Sequence, residues 1–146
     1  MTVDNQSDDT IRSILQSTRR IALVGASAKP WRPSNGVMRF LLGRGYDVTP
    51  VNPGLEGQQI HSRMVVGRLD GAVPLEMVDV FRNSAHVGPV VDDAIRLGAR
   101  VIWMQLGVVD EAAAARARAA GISVVMDRCP VIEERRLRLD LSHTGH

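Results

Sequence analysis

The sequence is short of several things that specialised proteins depend on. It has one cysteine, Cys129, so no internal disulfide can form and the small secreted, disulfide-stapled scaffolds are excluded. Phe, Trp and Tyr make up only 3% of the residues, and basic and acidic side chains are interleaved to a net charge of +2. That leaves neither the aromatic platforms nor the basic stripe by which nucleic acid is held, so no nucleic-acid partner is expected. No apolar run approaches the roughly 20 residues of a membrane span, and residues 1–9 are polar and acidic where a leader would be apolar. The expected setting is therefore cytoplasmic, with no membrane partner. Lysine is almost missing as well: of 18 basic residues, Lys29 is the only one that is not arginine.

What is present is an ordinary globular composition, 45% hydrophobic and 23% charged, over 146 residues. A chain of that length forms one domain and buries about 70% of its unfolded surface. With so few aromatics, the core has to be built from Val, Leu, Ile and Ala. The chain divides into a loose N-terminus over residues 1–9, a folded unit over 10–135 and a charged C-terminal tail over 136–146.

The unit is organised around Ile21-Ala22-Leu23-Val24, followed by Gly25-Ala26-Ser27. Apolar residues on consecutive positions predict a parallel strand covered on both faces. Gly25 permits a sharp turn, Ala26 and Ser27 keep side chains short, and Ser34 or Asn35 can cap the helix that continues through Val37 to Leu42. Strand, tight loop and helix N-terminus together form a common anion site, because unpaired amides and the positive end of the helix dipole converge. Lys29 lies in this loop with Arg32 close behind, a point-charge clamp for phosphate.

Four more apolar runs follow, at 47–51, 77–81, 100–104 and 122–126, separated by helical patterns at about 34–44, 85–97 and 111–120, and a helix leads at about 8–17. Ser84 is a candidate cap for the second of these helices and Asp110 for the third. The alternation predicts an α/β fold: a five-stranded, mainly parallel sheet between two layers of helices, in the order 3-2-1-4-5. Ligand then sits beyond the carboxyl ends of the strands, between the first and fourth. Residues 58–74 show no clear pattern. In the tail, Leu137, Leu139 and Leu141 alternate with charged residues, consistent with an edge strand, a dimer contact or disorder.

Two common phosphate-binding motifs are absent. The loop reads G-A-S-A-K-P rather than G-x-G-x-x-G, strand 2 ends in Asn52-Pro53 where an acid would hold a ribose diol, and no G-K-[ST] occurs. Instead, the ordered set Val24-Gly25-Ala26-Ser27, Val51-Asn52-Pro53, Asp79-Val80-Phe81-Arg82, Trp103 to Val108 and Asp127-Arg128-Cys129-Pro130 resembles the small bacterial CoA-binding proteins. Their fold is similar to the N-terminal domain of the succinyl-CoA synthetase alpha subunit. The resemblance implies a Rossmann-like three-layer sandwich that binds coenzyme A or an acyl-CoA. It implies pyrophosphate on Gly25-Ala26-Ser27 with Lys29 nearby, and adenine beside Val51-Asn52-Pro53. The pantetheine arm would then pass Phe81-Arg82-Asn83 toward Gln105-Leu106-Gly107. The phosphorylated-histidine domain of the synthetase has no counterpart here.

No nucleophile, base and oxyanion donor can be assigned as a set, so no catalytic residue is expected. Cys129 could meet the CoA sulfur or pack as a small apolar residue. His86 could touch a phosphate or act as a base, or hold a surface or capping position. No pair among His61, His86, His143 and His146 has metal-ligand spacing. Trp31, in the loop, is a lid candidate, whereas Trp103 belongs to the core. Two functions remain open: a regulatory or carrier module for CoA that does not turn it over, and an enzyme using NAD(P) or a related nucleotide.

Overall fold

A computed structural model of the chain describes residues 6–139. The apolar runs become one parallel sheet of five strands: β1 (Arg20–Val24), β2 (Asp47–Val51), β5 (Met77–Val80), β6 (Val101–Met104) and β7 (Ser123–Val125). Between β2 and β5 lies a small antiparallel hairpin, β3 (Gln59–Ile60) and β4 (Arg63–Met64). Side chains alternate between two apolar layers, as the period of a strand requires. Ile21 and Leu23 face the layer of α1 (Asp8–Ser17), α2 (Pro33–Gly43) and α5 (Pro130–Leu137). Ala22 and Val24 face the layer of α3 (Val87–Arg96) and α4 (Glu111–Ala119). On α4 the buried face is Ala113, Ala114 and Ala117, which lets its backbone come close to its neighbours. The result is the expected α/β, Rossmann-like sandwich.

The strand order differs from the expected 3-2-1-4-5. It is β2-β1-β5-β6-β7, so the third long strand pairs with the first instead of the second, giving 2-1-3-4-5 in terms of the five long strands. Pro50 explains this. Its carbonyl accepts from Val66 N (3.0 Å) on the outer side of β2, so its ring, which has no N–H, faces the same side. A full ladder there would lack a donor, and proline is confined to sheet edges for that reason. Only an isolated bridge between Val51 and Val66 covers this edge. The chain therefore returns across β1, and the topological switch falls between β1 and β5.

The unpatterned 58–74 stretch is the hairpin followed by a turn at Leu69–Ala72 that buries Leu69 and Ala72. The hairpin reverses at His61 (φ 48°) and Ser62 (φ 67°), both left-handed, as a tight two-residue turn demands. The alternation at the start of the tail is not a strand either: Leu137 ends α5, and Arg138 (φ 54°) closes it, while Leu141 lies outside the described residues. Pro130 opens that helix, and ion pairs of Arg44 with Glu134 and Arg136 with Asp8 (both 2.7 Å) tie it to α2 and α1. Two caps also differ. Pro33 takes the first position of α2, where its missing N–H costs nothing, so Arg32 rather than Ser34 or Asn35 precedes the helix. Ser84 opens a short turn ahead of α3 and uses its hydroxyl elsewhere. Asp110 caps α4 as expected, accepting from Ala113 N at 2.9 Å.

Candidate functional site

At the end of β1 the chain turns at Gly25, whose φ of +90° is a conformation side chains rarely tolerate. The turn aims the amides of Gly25 and Ala26 back at Val51 O (3.1 and 3.3 Å), across the end of β2. The first two amides of the expected phosphate floor are thus already satisfied, a correction to the idea that all three are bare. The amides of Ser27 and Ser34 have no acceptor among the described residues. Around them the loop is pinned by side chains. Asn52 Nδ2 donates to Ala26 O (2.8 Å), Asn35 Nδ2 donates to Ser27 O (2.9 Å), and Lys29 N donates to Ser27 Oγ (3.1 Å). His61 Nε2, 3.0 Å from Asn35 Oδ1, links the hairpin to the same corner.

Above this floor opens a cleft of about 940 Å³ at the carboxyl ends of the strands, centred on the switch between β1 and β5. Its lining is of two kinds. Gly25, Ala26, Ser27, Lys29, Arg32, Ser34, Asn52 and Arg82 supply small, polar and cationic groups, and Val37 and Phe40 of α2, Phe81, Leu106, Val108, Cys129, Val131 and Ile132 supply largely apolar ones. Gln105 also lines the cleft, 6% exposed; its Oε1 is buried and has no hydrogen-bond partner among the described residues. Lys29, Arg32 and Arg82 are exposed and form no ion pair among the described residues, and no carboxylate lines the cleft. Several arginines elsewhere are matched, as in Arg20–Asp47 (3.1 Å), Arg96–Asp70 (3.2 Å) and Arg116–Asp92 (2.9 Å). Three uncompensated cations facing one cavity make a strong potential for a multiply charged anion.

Trp31, in the same loop but not among the lining residues, is 75% exposed, with Lys29 Nζ 6.0 Å from its ring centre. Four of the residues expected at the site do not line the cleft. Val51 is buried and contributes its carbonyl to the Gly25 turn. Pro53 lies exposed beyond the end of β2, and Asn83 turns back to accept from Ala85 N (3.0 Å). Gly107 spends its amide on Asp127 Oδ1 (2.8 Å) and its carbonyl on Ser84 Oγ (3.3 Å). His86 is exposed and outside the cleft, and no cluster able to hold a metal occurs among the described residues.

The α2–α5 wall is the part that sequence reasoning missed. Phe40 carried a signal, being a large apolar residue one step off the inward stripe of Val37 and Leu41. Val131 and Ile132 carried none until α5 was seen. Beneath this layer, Asp79 sits in β5 between Leu23 and Trp103, fully buried, and its two carboxylate oxygens have no hydrogen-bond partner among the described residues. Burial raises its pKa well above the ordinary carboxylate range.

Residues 19–135 match the family model of the CoA binding domain, which takes in every strand and loop just described. The chain belongs to the CoA-binding domain family. A member from Bacillus subtilis, the uncharacterized protein YneT, is 35% identical over 87% of this chain and 93% of its own. Among solved structures, Prb, a protein redesigned for binding, is 40% identical with a TM-score of 0.88 and covers 99% of both chains. A hypothetical protein from Pyrococcus horikoshii is 39% identical with a TM-score of 0.89, over 95% of this chain and 97% of that one. No helix among the described residues is long and apolar enough to cross a membrane.

Proposed function

We propose that the protein binds coenzyme A, free or acylated, in this cleft as a carrier or regulatory module and does not transform it. The observation that carries the reading is the juxtaposition, in one cavity, of apolar side chains with Lys29, Arg32 and Arg82, which have no ion pair and no carboxylate beside them among the described residues. CoA has the same division: a phosphate-rich nucleotide end and a long, nearly neutral arm. Pyrophosphate fits the cationic lining, where the Ser27 and Ser34 amides and the Lys29 ammonium are available as donors. The arm fits between Phe40, Phe81 and Ile132, with Gln105 offering its amide.

A nicotinamide dinucleotide is the poorer fit. The end of β2 carries Asn52, whose carboxamide is committed to Ala26 O and Gly54 N, so no acid is present to hold a ribose diol. An acid at that end would also repel the 3′-phosphate that distinguishes CoA. Binding without turnover is supported by the residue types: among the described residues the titratable side chains lining the cleft are Lys29, Arg32, Arg82 and Cys129, with no His or carboxylate to serve as general base. Native mass spectrometry of the purified protein with equimolar CoA and NAD tests the reading. A one-to-one CoA complex supports it, and an NAD complex alone overturns it.

A further inference from the structure

Helices α2 and α5 pack together beside the cleft, and an ion pair clamps them at the far end of α2. Arg44, which follows the last residue of α2, donates through two nitrogens to the two carboxylate oxygens of Glu134 (2.7 and 3.0 Å). Its guanidinium lies 4.6 Å from the centre of the Phe40 ring. Gly36, Val37 and Phe40 share the face of α2 that leads up to Arg44, because residues three and four apart are neighbours on a helix. All three line the cleft, as do Val131 and Ile132 of α5. Phe40 and Val131 pack against the same apolar layer. Together these residues make a trough that opens into the cleft and is closed by the Arg44–Glu134 pair, and none of them carries a polar side chain. The protein does not fill it. Ile132 is 49% exposed, and a Cβ built on Gly36 would meet nothing within 4 Å. Gly36 lies inside a helix without a positive φ, where glycine is less stable than alanine. Space kept open at that cost, in the lining of a cleft, is space for a ligand.

Resting on the CoA reading, we infer that the ligand is an acyl-CoA rather than free CoA, and that its short, uncharged acyl chain lies in this trough. The arm, passing Phe40 and Ile132, delivers the thioester to the trough. Free CoA ends there in a thiol and leaves the apolar surface wet. At 1.5 Å per residue, Phe40 lies about 6 Å along α2 from Gly36 and Arg44 about 12 Å, which suits a short chain and not a long one. A chain ending in a carboxylate finds no partner in the trough, since Arg44 is matched by Glu134 and the lining is apolar.

Calorimetric titration of the full chain with CoA and with butyryl-, hexanoyl-, lauroyl- and succinyl-CoA tests this. Each buried methylene tightens binding by up to about fourfold, so hexanoyl-CoA should bind about tenfold or more tighter than CoA. Lauroyl-CoA should gain nothing further. Succinyl-CoA, which carries a carboxylate where butyryl-CoA has a methyl, should bind more weakly than butyryl-CoA. Gly36→Leu, which fills the trough, and Ile132→Asn, which makes it polar, should each bring the ratio of hexanoyl-CoA to CoA affinity toward one. Equal binding of CoA and hexanoyl-CoA by the wild type overturns the inference and leaves the CoA reading standing. So does lauroyl-CoA binding more tightly than hexanoyl-CoA, succinyl-CoA binding at least as tightly as butyryl-CoA, or a ratio that neither variant alters. Failure to bind CoA or any of its thioesters sinks both.

Discussion

Gly25 approaches Phe81 so closely that a Cβ built on it would lie 2.3 Å from the Phe81 carbonyl oxygen and 2.9 Å from its carbon. This is where the ends of β1 and β5 meet, and Phe81 N donates to Val24 O (2.8 Å) at the same point. The close approach lets the loop fold back over Val51 and leaves the cleft open above it. Gly25→Ala meets both the clash and the left-handed backbone, and should cost about 3 kcal/mol or more of unfolding free energy in urea titration. Gly57 has a similar φ of +85° but nothing within 4 Å of its added Cβ. Gly57→Ala should therefore show only the conformational part, about 1 kcal/mol. Equal losses at the two positions would contradict the β1–β5 contact.

Asp79 makes stability depend on pH with a definite sign. Its folded pKa is raised by burial, so above pH 3.8 the unfolded carboxyl has lost its proton while the folded one keeps it. The folded state binds the extra proton, and the contribution of this residue falls as pH rises from about 4 toward the folded pKa, by up to about 1.4 kcal/mol per unit. Asp79→Asn removes that slope. Denaturation series at pH 4 and pH 7 should show the variant gaining on the wild type with increasing pH. A difference between the two proteins that stays constant across the range would contradict a raised Asp79 pKa.

The cationic lining of the cleft predicts a charge-specific loss of affinity. Lys29 and Arg82 are exposed, so each substitution to Ala should weaken CoA about tenfold, the lower end of what a charge-assisted bond contributes. The loss should shrink at high salt. Arg100, exposed at the opposite end of the sheet, is the control, and Arg100→Ala should leave affinity unchanged. Isothermal titration at two salt concentrations checks this, and uniform losses across all three variants would argue against a localised phosphate site.

Much of this was legible in the sequence because it is encoded locally. Strands at Ile21 to Val24 and Met77 to Val80, the Gly25 turn, Asp110 as a cap and the clustering of Lys29, Arg32, Arg82 and Gln105 follow from periodicity and small-residue loops. Strand order was also written in the chain, in Pro50, but a proline inside an apolar run is easily passed over as a minor defect. The α5 wall was not legible in the same way. Its attachments are ion pairs to distant residues, Arg44 with Glu134 and Asp8 with Arg136, and Glu133 is buried between Arg128 (2.8 Å) and Arg136 (2.9 Å). No local apolar stripe announces such a helix. The alternating leucines beside it pointed to the wrong period. Asp79 is a different kind of gap: one acid in an apolar run does not reveal that it lacks a partner until its neighbours, Leu23 and Trp103, are known.

The central claim is that the cleft at the β1 turn is built for a phosphate-rich ligand with a long neutral arm. Calorimetric titration of the full chain with CoA, dephospho-CoA and NAD tests it most directly. The account predicts micromolar or tighter binding of CoA, weaker binding of dephospho-CoA and none of NAD; binding of NAD with no response to CoA would contradict it.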